Sequence, residues 1–216
     1  MTPPADTQRY KHHRFPPEII SHGVWLYYRF ALSYRDVQEL LMERGIAVSH
    51  EAIRGWCQKV GQNYANQVRR QRPRPSDKWH LDEVFITINS KRHDLWRAVD
   101  QDDNVLDIWV QSRRSKKAAK KFFRKLLKGL QYAPRVMITD KLRSYGAAKC
   151  EILPGVKHRQ SRYLNHRREN SHRPTRQRER RMQRFKSAGH APRFLSAFGP
   201  IFQHFRLRRH LLSASE

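Results

Sequence analysis

The first third of the chain repeats apolar residues at helical spacing. Three runs follow one another between Pro17 and about Gly61. Their apolar positions are Ile19, Ile20, Val24, Trp25 and Tyr28, then Val37, Leu40 and Leu41, and finally Ile53, Trp56 and Val60. Because positions three and four apart share one face of a helix, the pattern predicts three amphipathic helices.

Polar residues at fixed offsets mark the predicted helix ends. Ser33 with Asp36 three positions later resembles a capping box, Gly45 suits the position after a helix C-terminus, and Ser49 is a favourable N-cap. The second and third helices then form a helix-turn-helix pattern over about 33–61. The third helix would present His50, Glu51, Arg54 and Gln58 outward, as a helix entering a DNA major groove does. An ordinary three-helix bundle explains the same spacing, and both interpretations stay open.

The apolar period then changes from helical to alternating. A proline-punctuated linker, RRQRPRPSDK, precedes three short apolar runs, KWHLDEVFITI, LWRAVD and VLDIWV, which predict an antiparallel meander. A helix from about Ser115, a strand RVMITD, a short helix, a strand GVKHRQ and a basic helical tail follow. The predicted domains are a helical domain over 1–68, a linker over 69–78, an α/β domain over 79–187 and a helical tail over 188–216.

Two acidic residues fall on the predicted strands. Asp82 lies inside the first strand and Asp140 closes the fourth, while alternation turns Glu83 to the face opposite Asp82. A buried carboxylate is costly without a cation. The first and fourth strands of a β-β-β-α-β sheet commonly lie side by side, which would bring Asp82 and Asp140 together as metal ligands. Oxygen ligands without a Cys or His cluster favour Mg²⁺ or Mn²⁺ over zinc.

A third ligand can be sought among the few acids that follow Asp140. These are Glu151, Glu169, Glu179 and Glu216. Glu151 lies in a connection and Glu216 is the last residue, so both are poor candidates. Glu169 and Glu179 lie in an arginine-rich segment, and Glu179 is also explained as a surface partner of nearby arginines. Among the histidines, His80 and His172 lie nearest the proposed ligands, where supporting and plain packing roles both stay open.

Composition indicates the partner. Lys and Arg number 45 against 19 Asp and Glu, a net charge of +26 in 216 residues. Such a balance implies a polyanion, since cationic side chains gain affinity for phosphates by releasing counterions. Double-stranded DNA is expected, and a membrane is not, because no apolar run approaches the roughly 20 residues of a spanning helix. Two distant cysteines indicate neither a disulfide framework nor a zinc site. We expect a soluble, cytoplasmic protein.

Four sequence blocks resemble those of a known family. WHLDE, ITDKLRSYG, KHRQSRYLNHRREN and RFKS look like the motifs of bacterial insertion-sequence transposases of the DDE class, of the IS six and IS two-forty type. The resemblance implies an α/β, RNase H-like (retroviral integrase-like) catalytic domain with a mixed five-stranded sheet, preceded by an all-α helix-turn-helix domain. It also implies Asp82, Asp140 and Glu169 as the catalytic metal ligands, with Glu179 as the less favoured alternative for the third.

The same resemblance implies an activity. The protein would bind terminal inverted repeats and catalyse DNA cleavage and strand transfer with two Mg²⁺ or Mn²⁺ ions. The implied DNA contacts are His50, Arg54 and Gln58 in the third helix and Arg173 and Arg176 beyond the glutamate. Two DNA ends imply at least a homodimer, bound to DNA in the bacterial nucleoid.

The connection from Asp140 to Glu169 is shorter than is usual in the family, so an inactive remnant is one alternative; a helix-turn-helix regulator without catalysis is the other.

Overall fold

A computed structural model of the chain describes most of its residues. The described ranges are 13–71, 75–102, 104–140, 143–161, 172–187 and 189–205. The chain divides into two compact units, one formed by the residues up to Gln71 with those from Ala197 on, the other by Arg72–Ser196. The second boundary therefore falls inside the segment that the sequence suggests is one helical tail.

The first unit contains the three predicted helices. They are α1 (Pro17–Arg29), α2 (Tyr34–Met42) and α3 (His50–Arg70). The predicted caps are present: the Ser33 hydroxyl accepts from the amide of Asp36, whose carboxylate accepts from the amide of Ser33, and the Ser49 hydroxyl accepts from the amide of Ala52. Gly45 has a φ of 73°, the left-handed conformation that favours glycine after a helix. Helix α3 continues nine residues past Gly61, where the apolar pattern predicts its end.

The close approach of α1 and α3 depends on a glycine. A Cβ atom at Gly61 would lie 2.7 Å from the ring of Tyr28. The Tyr28 hydroxyl donates to the carbonyl of Cys57 at 3.3 Å, which holds the ring against α3. The apolar face of α2, with Val37 and Leu41, is buried.

The second unit is built on a mixed five-stranded sheet. Its strands are β1 (Lys78–Ile88), β2 (Lys91–Asp100), β3 (Val105–Gln111), β4 (Val136–Thr139) and β5 (Lys157–Gln160). Their order is β3-β2-β1-β4-β5, with β1, β2 and β3 antiparallel and β4 and β5 parallel to β1. The predicted meander, the adjacency of the first and fourth strands, and the α/β class with a mixed five-stranded sheet are confirmed.

One predicted turn is shorter than expected. The sequence suggests that all of NSKRHD is a turn, but only Asn89 and Ser90 form it, both with positive φ, and β2 already begins at Lys91. Two residues of left-handed conformation make the tight hairpin turn that suits strand twist. A two-residue turn places the residues on either side of it, Ile88 and Lys91, opposite each other. The polar side chains that begin β2 do not prevent this pairing, because the hydrogen bonds between strands are made by the backbone.

Four further helices follow along the chain, α4 (Lys116–Leu130), α5 (Arg143–Ile152), α6 (Arg173–Arg181) and α7 (His190–His204), and the last crosses the boundary between the two units. Helices α4 and α5 pack against the sheet. The main core contains Trp79, Leu81, Trp96, Ala98 and Met137 from the sheet with Ala119, Phe122, Phe123 and Tyr145 from α4 and α5. We call this side of β1 the α5 face, and the opposite side, where His172 contacts Asp82, the α6 face. In the described part of the chain, no helix is both long and apolar enough to cross a bilayer.

The edge of β1 next to β4 is only partly paired. Strand β4 pairs with β1 from Lys78 to Leu81 and ends there. Beyond it, the amide of Thr87 donates to Glu179 Oε1 at 2.6 Å, and Ile88 forms a bridge with Phe185. These contacts satisfy backbone groups of an otherwise open edge. Asp82 is the first residue of β1 beyond the paired segment, so its side chain lies where the sheet opens.

Candidate metal centre

Three carboxylates meet at the end of β4. Leu81 pairs with Thr139, so the next residues along the two parallel strands, Asp82 and Asp140, are neighbours. One carboxylate oxygen each from Asp82, Glu83 and Asp140 lies within 4.8 Å of the other two. Strand pairing thus brings together two acids that are 58 positions apart, as the predicted topology requires.

The Asp82 carboxylate is held through both oxygens. The amide of Glu83 donates to Oδ1 at 2.9 Å, and His172 Nε2 lies 2.9 Å from Oδ2. An ionised carboxylate only accepts, so His172 Nε2 carries the proton. Burial lowers the pKa of His172, which is 3% exposed, and the hydrogen bond to Asp82 offsets only part of this. The ring is therefore neutral at pH 7 and acts as a fixed donor that orients Asp82.

Glu83 is in a different situation. Both of its carboxylate oxygens are buried, and neither has a hydrogen-bond partner among the described residues. Burial raises the pKa of Glu83 to about 8, and the charges of Asp140 and Asp82 add to the rise. Tyr145 and Arg114 oppose it, although the Tyr145 hydroxyl lies outside the geometry of an ordinary hydrogen bond. A carboxylate in this state gains from a nearby cation.

Basic side chains surround the carboxylates. Arg97 of β2 lies directly opposite Asp82 in the strand register and is 8% exposed. Arg114 acts on Glu83 through its charge while its guanidinium forms an ion pair with Asp94 at 2.8 Å. The sequence shows that Asp82 needs a cationic neighbour, but it does not identify Arg97. The signal was available, since an arginine inside the apolar run LWRAVD is as unusual as an aspartate inside the first strand.

Neither candidate for the third ligand belongs to the described cluster. Glu169 lies in residues 162–171, outside the described residues. The alternative, Glu179, accepts the hydrogen bond from Thr87, five positions along β1 from Asp82 and so about 16 Å away at strand spacing. The third carboxylate in the described part of the cluster is that of Glu83. Alternation along β1 predicts that the Glu83 side chain lies on the face opposite Asp82. Its side chain does start on the α5 face, but its carboxylate still reaches the cluster.

The predicted DNA contacts are on the surface, with one exception. On α3, Arg54 and Gln58 are exposed, and Arg54 pairs with Glu51 at 3.3 Å. His50 is half-buried, and its amide and Nδ1 both contact Gln38 Oε1, at 2.9 and 3.2 Å. On α6, Arg173 and Arg176 are both exposed.

The carboxylate cluster suits a hard divalent cation. Its donors are all oxygens, and neither cysteine nor a histidine nitrogen belongs to the described cluster. Mg²⁺ and Mn²⁺ favour such ligands, whereas zinc favours sulfur and imidazole nitrogen. Three carboxylates at this separation repel one another, and a cation between them removes the repulsion. The residues present therefore fit a divalent metal ion.

The chain is similar to known transposases in sequence. The model for the DDE domain of IS240-type transposases matches residues 76–208. The transposase for insertion sequence-like element IS431mec of Staphylococcus aureus is 33% identical over 186 residues, which are 83% of this chain and 81% of the relative. The transposase for insertion sequence element IS257 in transposon Tn4003, also from Staphylococcus aureus, matches with the same identity and coverage. The crystal structure of the catalytic domain of Mos1 mariner transposase aligns at a TM-score of 0.42 and 14% identity, covering 68% of this chain and 83% of that one.

Proposed function

The chain belongs to the DDE-domain transposases of the IS240 type, and from that premise we propose that its carboxylate cluster is the metal centre at which DNA strands are cut and joined. The observation that carries this proposal is the convergence of Asp82 and Asp140 at the point where β4 ends and the sheet opens. Membership of the family makes the chain an insertion-sequence transposase, a polynucleotidyl transferase. What we add is the assignment of roles to its residues.

We assign Asp82, Asp140 and Glu169 as ligands of two divalent ions, Mg²⁺ or Mn²⁺. Oxygen donors support this choice of metal, and the matching block NHRREN supports Glu169. When bound, such ions activate the attacking water or 3′-hydroxyl and stabilise the departing 3′-oxygen of an in-line displacement. Water attacks first, to free a 3′-hydroxyl at the end of the element, and that hydroxyl then attacks the target phosphodiester. The chain itself supplies no nucleophile.

Neighbouring residues orient the Asp82 ligand and balance its charge. His172 and the Glu83 amide fix both oxygens of Asp82, so the ligand does not have to be ordered when metal or DNA binds. His172 is thus a positioning residue and not a catalytic one. Arg97, buried opposite Asp82, balances part of the negative charge of the cluster.

Recognition of DNA is assigned to two surfaces. His50, Arg54 and Gln58 of α3 would read base edges in the terminal inverted repeats, and Arg173 and Arg176 of α6 would contact phosphates. The exposure of the four residues other than His50 supports this division. Joining an element end to target DNA needs two ends held together, so we propose at least a homodimer. We expect the protein in the bacterial cytoplasm, bound to the nucleoid.

A strand-transfer assay with Mg²⁺ or Mn²⁺ tests the proposal. We expect Asp82→Asn, Asp140→Asn and Glu169→Gln each to reduce cleavage and joining by orders of magnitude while DNA affinity stays nearly unchanged, because that affinity comes from Lys and Arg. Glu179→Gln is the matched control, because glutamine keeps the acceptor that Thr87 uses.

Each failure has a distinct meaning. Full activity of the Glu169→Gln variant would remove Glu169 from the site. Cleavage without joining would indicate a nuclease of the same fold. DNA binding by the wild-type chain without either reaction would identify an inactive remnant.

A further inference from the structure

We propose that Glu83 is an additional ligand of the divalent ion, so that the metal centre is built on the consecutive pair Asp82 and Glu83 together with Asp140. This inference rests on the proposed function, because it concerns the same centre. It adds a residue that the sequence directs to the opposite face of β1.

The spacing of the carboxylates supports a shared ion. Oxygen ligands of Mg²⁺ lie at about 2.0 to 2.1 Å, so two ligands of one octahedral ion are about 3 to 4.2 Å apart. One oxygen each from Asp82, Glu83 and Asp140 lies within 4.8 Å of the others. Small side-chain rotations close the difference. Asp82 would approach the ion from the α6 face and Glu83 from the α5 face.

The condition of the Glu83 side chain points the same way. Its two oxygens are buried without a hydrogen-bond partner among the described residues. Arg114, whose positive charge acts on Glu83, is itself paired with Asp94 at 2.8 Å. A buried polar group left unpaired is costly and marks a position where an unseen partner belongs. A cation placed between the three carboxylates would supply that partner to Glu83 and relieve its repulsion with Asp82 and Asp140.

A different interpretation makes a different prediction. Glu83 would then be a neutral carboxyl group packed beside Tyr145, with no part in metal binding. Glutamine has the same size and no charge, so it reproduces a neutral carboxyl group but replaces a metal ligand poorly. Glu83→Gln therefore separates the two.

The experiment is a titration of the full-length chain with Mn²⁺, followed by electron paramagnetic resonance of the free ion. We expect Glu83→Gln to weaken Mn²⁺ binding at least about tenfold, the scale on which even residues around a metal site act. Glu179→Gln, the same chemical change on α6, should bind within about twofold of wild type, a ratio too small to indicate a lost ligand. The Mn²⁺-induced rise in unfolding temperature should shrink in parallel in Glu83→Gln but not in Glu179→Gln.

Asp82→Asn distinguishes failure of this inference from failure of the proposed function. If Asp82→Asn loses Mn²⁺ while Glu83→Gln binds as wild type does, Glu83 is not a ligand and only this inference is overturned. If wild type binds no Mn²⁺, or Asp82→Asn binds it unchanged, the proposed centre itself is wrong. Should Glu83→Gln not fold, Glu83→Asp serves instead, because it keeps the charge but shortens the reach by one methylene. Weaker Mn²⁺ binding in that variant supports the inference, and wild-type affinity overturns it.

Discussion

On the α6 face of β1 the carboxylate of Asp82 has a partner for each oxygen, whereas on the α5 face both oxygens of Glu83 have none among the described residues. The two residues are adjacent in sequence and contribute to the same cluster. The difference shows which part of the centre the protein completes by itself. Asp82 is oriented before any ligand arrives, while Glu83 is kept in an unfavourable state that a cation would relieve.

The largest expected effect comes from replacing Glu83, whose buried carboxyl group ionises only at a cost in stability. Burial raises the pKa of Glu83 from 4.5 to about 8, so between these values the folded chain holds a proton that the unfolded chain has lost. Stability without metal should therefore fall as pH rises through this window, by up to about 1.4 kcal/mol per pH unit. In Glu83→Gln this component should disappear. Urea unfolding from pH 5 to pH 8.5 measures it, and an unchanged slope in the variant would assign the pH dependence to other groups.

Removing the partner of Asp82 tests the satisfied side. His172→Leu deletes the donor to Oδ2 and should weaken Mn²⁺ binding by about 10- to 100-fold. His172→Gln carries an amide that can donate from a similar position and should recover most of the affinity. Rescue by glutamine is the signature of orientation, because a purely structural role would respond to packing volume. Equal losses in both variants would contradict the positioning role.

Glu179 of α6 offers a satisfied carboxylate that contacts the same strand, β1, outside the cluster. Glu179→Ala leaves the amide of Thr87 without its acceptor and should lower the free energy of unfolding by about 1 to 3 kcal/mol. Mn²⁺ affinity should stay at the wild-type level. A loss of metal binding equal to that of Asp82→Asn would instead make Glu179 the third ligand.

The smallest effect is expected at the surface. Glu151 of α5 pairs with Lys116 and Lys120 of α4, and these hydrogen bonds lower its pKa to about 2. Its contribution is therefore present above about pH 4.5, the ordinary value, and is lost as pH falls toward 2. Because the pair is exposed, Glu151→Gln should lower the unfolding temperature only slightly at pH 7 and not at pH 2. A large shift at pH 7 would show that the α4 and α5 contact depends on this pair.

Much of the fold could be predicted because its signals are local. Ser33, Ser49 and the Ser115 N-cap of α4 act through hydrogen bonds to residues three positions away, and the apolar stripe of α4 repeats within a few residues. The order of strands and helices predicted that β1 and β4 pair, and with it the meeting of Asp82 and Asp140.

The rest could not be predicted, because it depends on contacts between distant segments. His172 lies 90 positions from Asp82 and Glu179 lies 92 positions from Thr87, so no local pattern links them. Alternation along β1 correctly assigns Glu83 to the α5 face, yet it says nothing of how far a carboxylate reaches past the end of β4.

The amino-acid sequence by itself determined the helices, the strands, the positive charge and the family motifs of this chain, since each is encoded in neighbouring residues or in composition. Only the tertiary structure decided that Glu83 joins Asp82 and Asp140 in one site, and which of these carboxylates are already satisfied. The physical reason is that hydrogen bonding and burial of a side chain depend on whatever segment packs over it, and that segment is chosen by the fold as a whole.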